Sequence, residues 1–243
     1  MGTGQPSAFR RPTPYQRGAS GTNRRTEAVV ASPGQPVNAR GIGVEPSSVV
    51  LTDVSASAQR DPQGQRRMRQ DVYEIVRDVV RYVGLDLDSL QTTDTGDGIR
   101  LLLPFSVLEP IRVVDAFVLG LSAGLREHRR YVAEPARVRM RLAFDFGHIE
   151  PDQHGWTGEP LVRIARLIEA EELRAALAAD DRVDLAAVVS DGFFQFVVRH
   201  GHGYVRPSCF REIHVNVKEF AGRAWQLVPG AAGMCGGCYG LAS

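Results

Sequence analysis

The 243-residue sequence lacks the features that mark several large classes of protein. Three cysteines are too few for the disulfide framework of a small secreted protein. No run approaches the roughly 18–20 consecutive apolar residues of a transmembrane helix, and the polar, arginine-rich N-terminal region has no apolar core of a secretory signal. The net charge of +1 argues against a chain-wide nucleic-acid-binding surface. We therefore expect a cytoplasmic protein whose partners include neither nucleic acid nor a membrane.

The composition suits one folded domain between two tails. Hydrophobic residues make up 43% of the sequence and charged residues 23%, which is ordinary for a globular protein. Residues 1–46 are rich in proline, glycine and arginine and predict a disordered tail, because such a segment buries too little apolar surface to offset chain entropy. Residues 229–243 are glycine-rich, carry no charged side chain and predict a flexible tail that contains Cys235 and Cys238. The domain is therefore predicted to span residues 47–228.

Hydrophobic periodicity predicts an α+β domain. Apolar positions recur at helical spacing in some segments, and continuous or alternating apolar runs indicate strands in others. We expect helices over residues 66–83, 111–125, 158–178 and 192–199. We expect strands over residues 48–54, 92–97, 99–103, 138–146, 184–189, 213–217 and 224–228. The order β-α-β-β-α-β-α-β-α-β-β indicates a ferredoxin-like βαββαβ core with extra C-terminal strands.

Two aspartates are candidates for a metal site. Asp53 lies near the end of the first apolar strand, where an unpaired carboxylate is costly. Asp97 lies in Gly96-Asp97-Gly98, where an Asp-Gly pair between strands indicates a hairpin whose turn positions tolerate positive φ. Such a hairpin can bring Asp97 beside Asp53, and two close carboxylates repel each other unless a cation lies between them. The pair is therefore a candidate Mg²⁺ or Mn²⁺ site; the alternative is that Asp97 serves only the turn and Asp53 caps a helix.

Two arginines on the third predicted helix are candidates for phosphate chemistry. Arg163 and Arg166 are three residues apart and lie near one helix face. An arginine at that place could stabilise charge on a phosphoryl group in the transition state. The alternative is a solvated helix face, or an ion pair with Glu169 or Glu172.

Taken in order, these segments resemble one known family. An apolar strand ends in Thr52-Asp53, a Gly-Asp-Gly hairpin follows about 40 residues later, and the strand over residues 139–147 precedes a helix that contains Ala165-Arg166-Leu167. This ordered set, over residues 48–228, resembles the class III nucleotidyl cyclases, the adenylate and guanylate cyclase catalytic domains. The late segments also look like a divergent bacterial subgroup of that family.

The resemblance implies a site and a reaction. The two metal-binding aspartates of the family fall on Asp53 and Asp97, with Gly96 and Gly98 at the nucleotide-binding turn, and the transition-state arginine falls on Arg166. The reaction would be attack of the 3′-OH of a nucleoside triphosphate on its α-phosphorus, with Mg²⁺ or Mn²⁺ and release of pyrophosphate. Family members build the site between two subunits, so the resemblance also implies a homodimer, with metals from one subunit and the arginine from the other.

The sequence also departs from the family at the base and ribose end of the site. Thr93 occupies the slot of the base-selecting lysine, Gly155 occupies the slot of an aspartate, and Val162 occupies the slot of the ribose-orienting asparagine. A valine side chain cannot form a hydrogen bond, and positioning supplies much of the rate in phosphoryl transfer. Asp94 and Asp145 are candidates to take over base reading. The expected function is therefore a divergent cyclase; the alternative is a catalytically degenerate pseudo-cyclase that senses nucleotide or docks an effector protein.

Overall fold

A computed structural model of the chain describes residues 45–230. The two predicted tails lie outside the described residues except at their inner ends, so the tail assignments and the domain limits at residues 47 and 228 stay predictions. Within the described residues, no helix is both long and apolar enough to cross a membrane.

The described residues form nine β-strands and five α-helices. The strands are β1 (Pro46–Val54), β2 (Gln91–Asp94), β3 (Ile99–Pro104), β4 (Met140–His148), β5 (Glu150–Asp152), β6 (Gly155–Thr157), β7 (Leu185–Ser190), β8 (Arg211–Val217) and β9 (Phe220–Leu227). The helices are α1 (Pro62–Tyr82), α2 (Pro110–Tyr131), α3 (Glu159–Leu167), α4 (Glu171–Ala179) and α5 (Asp191–Phe193), which continues as a π-helical turn over Phe194–Val198.

Seven strands form one mixed sheet in the order β2-β3-β1-β4-β7-β9-β8. β4 lies at its centre, and β1 lies beside it and pairs antiparallel with both β3 and β4. The unit from β1 to β4, with α1 and α2, is the predicted ferredoxin-like βαββαβ core. β7 joins β4 in parallel, and β9 and β8 complete the sheet. The predicted fold class, including the extra C-terminal strands, is confirmed.

The two faces of the sheet bury separate apolar cores. Val50 and Val54 of β1 face a core that contains the apolar residues of α1 and α2. Val49 and Leu51 face a second core, formed with α3 and α4. Because side chains alternate along a strand, Asp53 lies on the α3 and α4 face of the sheet.

Local chemistry sets where the helices begin and end. At α1 the Asp61 carboxylate accepts a hydrogen bond from the Gly64 N–H at 2.6 Å, and Pro62 follows as the first helical residue, a pairing typical of helix starts.

The predicted single helix over residues 158–178 is wrong, because α3 ends at Leu167 and α4 starts at Glu171. Ala170, directly before α4, is fully buried and has a non-helical ψ of 135°.

Two further expectations about loops need correction. The turn after β2 does not place positive φ at Asp97; among the turn residues the left-handed one is Gly96, with φ of 96°. The strand predicted over residues 92–97 therefore ends at Asp94. In addition, residues 150–157, for which no strand was predicted, contain the short β5–β6 hairpin.

Candidate functional site

The β2–β3 turn docks on the end of β1 and brings Asp97 beside Asp53. The Thr52 hydroxyl donates to the Ile99 carbonyl at 3.2 Å and accepts from the Ile99 N–H at 3.0 Å. The Val54 N–H donates to the Asp97 carbonyl at 3.0 Å. These hydrogen bonds fix the two aspartate backbones against each other, so the juxtaposition does not depend on the carboxylates themselves.

Glycine is required at two positions of this turn. A Cβ at Gly98 would lie 1.8 Å from the Thr52 carbonyl oxygen, so any other residue would push the turn away from β1. Gly96 has the positive φ that side chains disfavour. Both glycines proposed from the sequence as cofactor-binding therefore have a structural reason to be present.

The two carboxylates influence each other. The pKa of Asp53 is raised to about 6: burial raises it most, Arg141 lowers it, and the nearby Asp97 carboxylate raises it. Ser57 donates its hydroxyl to Asp97 Oδ2 at 2.7 Å. A half-buried pair of like charges is a place where a cation would relieve repulsion.

Arg141 is the partner of Asp53 within the chain. It lies on β4 directly opposite Asp53 in the β1–β4 register. Its Nε donates to Asp53 Oδ2 at 2.7 Å, and one Nη atom donates to the same oxygen. Its other Nη donates to the Ile168 carbonyl at 3.2 Å, at the end of α3. The sequence did not single out Arg141 as a site residue. The alternating pattern of β4 predicts which face of the sheet Arg141 lies on, but it does not predict that Asp53, 88 positions away, is its partner.

The residues present fit a divalent cation bound through few protein ligands. Asp53 and Asp97 offer the carboxylate oxygens that Mg²⁺ and Mn²⁺ prefer. Within residues 45–230 there is no group of three or more His, Cys, Asp or Glu side chains able to hold a metal. Water and substrate phosphates would complete the coordination, as is usual for Mg²⁺.

The remaining hairpin residues have partners of their own. Arg100 donates to the Thr93 hydroxyl at 3.3 Å. Asp94 accepts hydrogen bonds from Arg69, from the Tyr73 hydroxyl at 2.8 Å and from the Gly96 N–H at 2.7 Å. Asp94 therefore braces the hairpin against α1.

Helix α3 presents its predicted site residues on two sides. Arg166, near its C-terminus, donates through Nε and Nη2 to Glu219 Oε1 at 3.1 and 2.7 Å. Glu219 lies in the turn between β8 and β9, and the predicted alternatives, Glu169 and Glu172, are not the partners of Arg166. Val162 is 55% exposed. Among the described residues, Arg166 donates no hydrogen bond to Asp53 or Asp97. The arginine and the two carboxylates of one chain therefore do not form a single hydrogen-bonded site.

Arg163, the other candidate, anchors the helix. It pairs with the fully buried Asp145 of β4, Nε to Oδ2 at 2.6 Å, and Ser190 donates to Asp145 Oδ1 at 2.7 Å. Burial raises the pKa of Asp145 while these hydrogen bonds lower it. Arg163 also pairs with Glu159 one turn earlier. Since Asp145 is enclosed by these partners, the geometry does not support a role for it in base reading.

Solved structures of cyclases share this fold. An adenylate/guanylate cyclase/hydrolase from Silicibacter pomeroyi matches with a TM-score of 0.54 and 16% identity, over 76% of this chain and 98% of that one. A bacterial light-regulated adenylyl cyclase matches with a TM-score of 0.52 and 14% identity, over 79% of this chain and 55% of that one. No protein-family model and no curated protein sequence matches the chain. The described domain thus has the fold of a class III nucleotidyl cyclase catalytic domain.

Proposed function

We propose that this domain binds a nucleoside triphosphate together with Mg²⁺ or Mn²⁺ and forms a cyclic nucleotide and pyrophosphate for signalling. The observation that carries the proposal is the docking of Asp97 beside Asp53 in a cyclase fold. Backbone hydrogen bonds hold the pair together although its like charges repel, which is a cost that a functional site explains.

In this proposal, one group of residues binds the metal and another binds the phosphates. Asp53 and Asp97 would hold the cation, which when bound helps to deprotonate the 3′-OH and neutralises phosphate charge. Arg141 fixes the orientation of the Asp53 carboxylate through Oδ2. Arg166 would stabilise the charge that develops on the transferred phosphoryl group.

We further propose that the working unit is a homodimer. Within one chain the Arg166 guanidinium is held by Glu219 at the β8–β9 turn and not by the Asp53–Asp97 pair. A site that combines Asp53 and Asp97 of one subunit with Arg166 of another would contain both the metal ligands and the arginine without distorting α3. The dimer would place the triphosphate between the two subunits.

The second candidate function is a pseudo-cyclase that binds nucleotide, or docks an effector protein, without turnover. Val162 is exposed and offers no hydrogen bond to a ribose. Arg166 is already engaged by a carboxylate. Both features favour weak positioning of a substrate, which would lower turnover more than binding.

One assay separates these candidates. Purified protein is incubated with ATP, GTP, CTP or UTP and Mn²⁺, cyclic products are read by mass spectrometry, and triphosphate binding is measured by calorimetry. We expect a cyclic product from one triphosphate, and we expect Asp97→Ala to abolish both the product and Mn²⁺-dependent binding. Asp78→Ala, which removes an exposed carboxylate of α1 paired with Arg81, is the matched control and should change neither.

The outcomes of that assay have distinct meanings. Binding without product in the wild type supports the pseudo-cyclase function. Binding that survives Asp97→Ala contradicts the metal assignment. No binding of any triphosphate contradicts the cyclase and the nucleotide-binding pseudo-cyclase, and leaves docking of an effector protein as the remaining candidate.

A further inference from the structure

We propose that Cys209 and the C-terminal Cys-Gly-Gly-Cys segment form a thiol–disulfide switch, which ties the end of the chain to the edge of the sheet or releases it. Cys209 is disulfide-bonded in the folded chain. The sequence contains two other cysteines, Cys235 and Cys238. Both lie outside the described residues, and one of them supplies the partner sulfur in the proposed switch. The switch is independent of the proposed nucleotide chemistry.

The register of the last two strands places Cys209 beside the point where the chain leaves β9. Arg211, at the start of β8, pairs with Gln226 near the end of β9. Cys209 lies just before Arg211, and Gly230 lies just after the end of β9 with a φ of 81°, which is typical of a turn. The segment from Gly230 to Cys235 can span up to roughly 17 Å. Because neighbouring strands are only about 5 Å apart, the tail has the length to return to Cys209.

The surroundings of Cys209 shield its sulfur from reductants in solution. The residue is only 2% exposed and belongs to the core on the α1 and α2 face of the sheet. Its N–H donates to the Arg206 carbonyl at 3.0 Å, and the next residue, Phe210, makes an edge-to-face contact with Phe194 at 5.7 Å between ring centres. A dissolved thiol therefore reaches this sulfur less readily than a thiol on the tail, whose effective concentration is roughly millimolar or higher.

Three cysteines leave one thiol next to the bond. A disulfide between Cys209 and either tail cysteine leaves the other tail cysteine as a thiol, separated from the partner by two flexible glycines. Its thiolate attacks the partner sulfur, and Cys209 leaves as a thiolate that takes up a proton from water. One S–S bond breaks and the Cys235–Cys238 bond forms, so the step needs no oxidant or reductant. The tail is tied to the sheet before this step and released after it.

The expected compartment favours a switch over a permanent crosslink. Disulfides in a reducing cytoplasm are usually transient and redox-sensing. When all three cysteines start as thiols, oxidised glutathione supplies the oxidant: Cys209 and one tail cysteine become a disulfide, and two glutathione thiols are released.

The first part of the test maps the disulfide in the full chain. The protein is equilibrated with mixtures of reduced and oxidised glutathione, quenched with acid and N-ethylmaleimide, and digested with trypsin. Cys209 and the two tail cysteines fall in separate tryptic peptides, residues 200–211 and 224–243. We expect mass spectrometry to find these two peptides linked. When heavy-isotope-labelled and unlabelled chains are mixed, we expect the link to join peptides of the same chain.

The second part of the test distinguishes a switch from a permanent crosslink. The tied form of the wild type, freed of glutathione and incubated at about pH 8 to populate thiolates, should convert in part to Cys235–Cys238 with an alkylated Cys209. In Cys235→Ser and in Cys238→Ser, the tied form should persist, because no attacking thiol is left. Cys209→Ala is the matched control and should form only the Cys235–Cys238 disulfide.

Thermal unfolding provides an independent readout of the tied state. The disulfide closes a loop that contains β8 and β9, the last two strands of the sheet. Reduction should therefore lower the Tm of Cys238→Ser or Cys235→Ser by roughly 5–10 °C, as expected for a loop of about 30 residues in a domain of this size. Reduction should leave the Tm of Cys209→Ala unchanged.

Three results would overturn the proposal. Alkylation of all three cysteines at every glutathione ratio would show that Cys209 does not pair with the tail. A link found only between labelled and unlabelled chains would show that the disulfide joins two molecules. A tied form as persistent in the wild type as in Cys235→Ser and Cys238→Ser would show a permanent crosslink and no switch.

Discussion

At the scale of single residues, Asp53 shows the conflict between stability and function most clearly. Its carboxylate lies on a core-facing side of β1, close to Asp97, and its pKa is raised to about 6. The folded protein therefore holds the Asp53 proton more tightly than the unfolded chain, whose aspartates have their ordinary pKa of 3.8. The stability that this proton confers is present at low pH and is lost as the pH rises through about 6.

This sign gives a prediction for Asp53→Asn in the absence of metal. The asparagine cannot ionise, so the variant should avoid the loss that the wild type suffers as the pH rises. The difference in the free energy of unfolding should shift in favour of the variant by roughly 1–3 kcal/mol between about pH 4 and pH 7. Urea unfolding at a series of pH values in EDTA measures it, with Asp78→Asn as the exposed control. A difference that does not change with pH would contradict the raised pKa.

At the scale of elements, helix α3 is positioned by partners that lie far away in the sequence. Arg163 is anchored by Asp145 of β4, the Ile168 carbonyl is capped by Arg141, and Arg166 is held by Glu219. Sequence spacing predicted a shared face for Arg163 and Arg166 but offered only local glutamates as partners. Long-range ion pairs leave no periodic signal, so these contacts required the folded chain.

The contact at Glu219 predicts competition with phosphate. Glu219 forms an ion pair with the Arg166 guanidinium, which the proposed mechanism needs for the phosphates. Glu219→Gln should weaken this pair and leave Arg166 available. We expect Mn²⁺-triphosphate to bind about 2–5-fold more tightly to this variant, the range for an exposed ion pair. Calorimetry measures the affinity. Glu169→Gln, which removes the partner of Lys218 in the same turn, is the control and should have little effect. Unchanged or weaker binding in Glu219→Gln would show that Glu219 does not compete.

At the scale of the whole molecule, local patterns predicted the fold well and the site in part. The order of apolar segments predicted the βαββαβ core, because each strand and helix shows its own burial pattern. The juxtaposition of Asp53 and Asp97 was predicted because a hairpin that pairs with the first strand places its turn near the end of that strand. The break between α3 and α4 was missed, since the apolar period continues through buried Ile168 and Ala170. Arg141 was missed because the register between two strands pairs residues that can be far apart in the sequence, and the sequence pattern of either strand alone does not reveal the register.

The dimer hypothesis yields the last prediction, which concerns two chains together. Asp53→Ala removes a metal ligand and Arg166→Ala removes the phosphate arginine, so each homodimer should form no cyclic product. If a site takes its metal end from one subunit and Arg166 from the other, a mixed dimer contains one complete site. Equal mixing after co-expression should then restore about a quarter of wild-type turnover, because about half of the dimers are mixed and each has one of two sites. If Arg166 instead served the carboxylates of its own chain, every mixed dimer would lack a complete site, and mass spectrometry would find no cyclic product in the mixture.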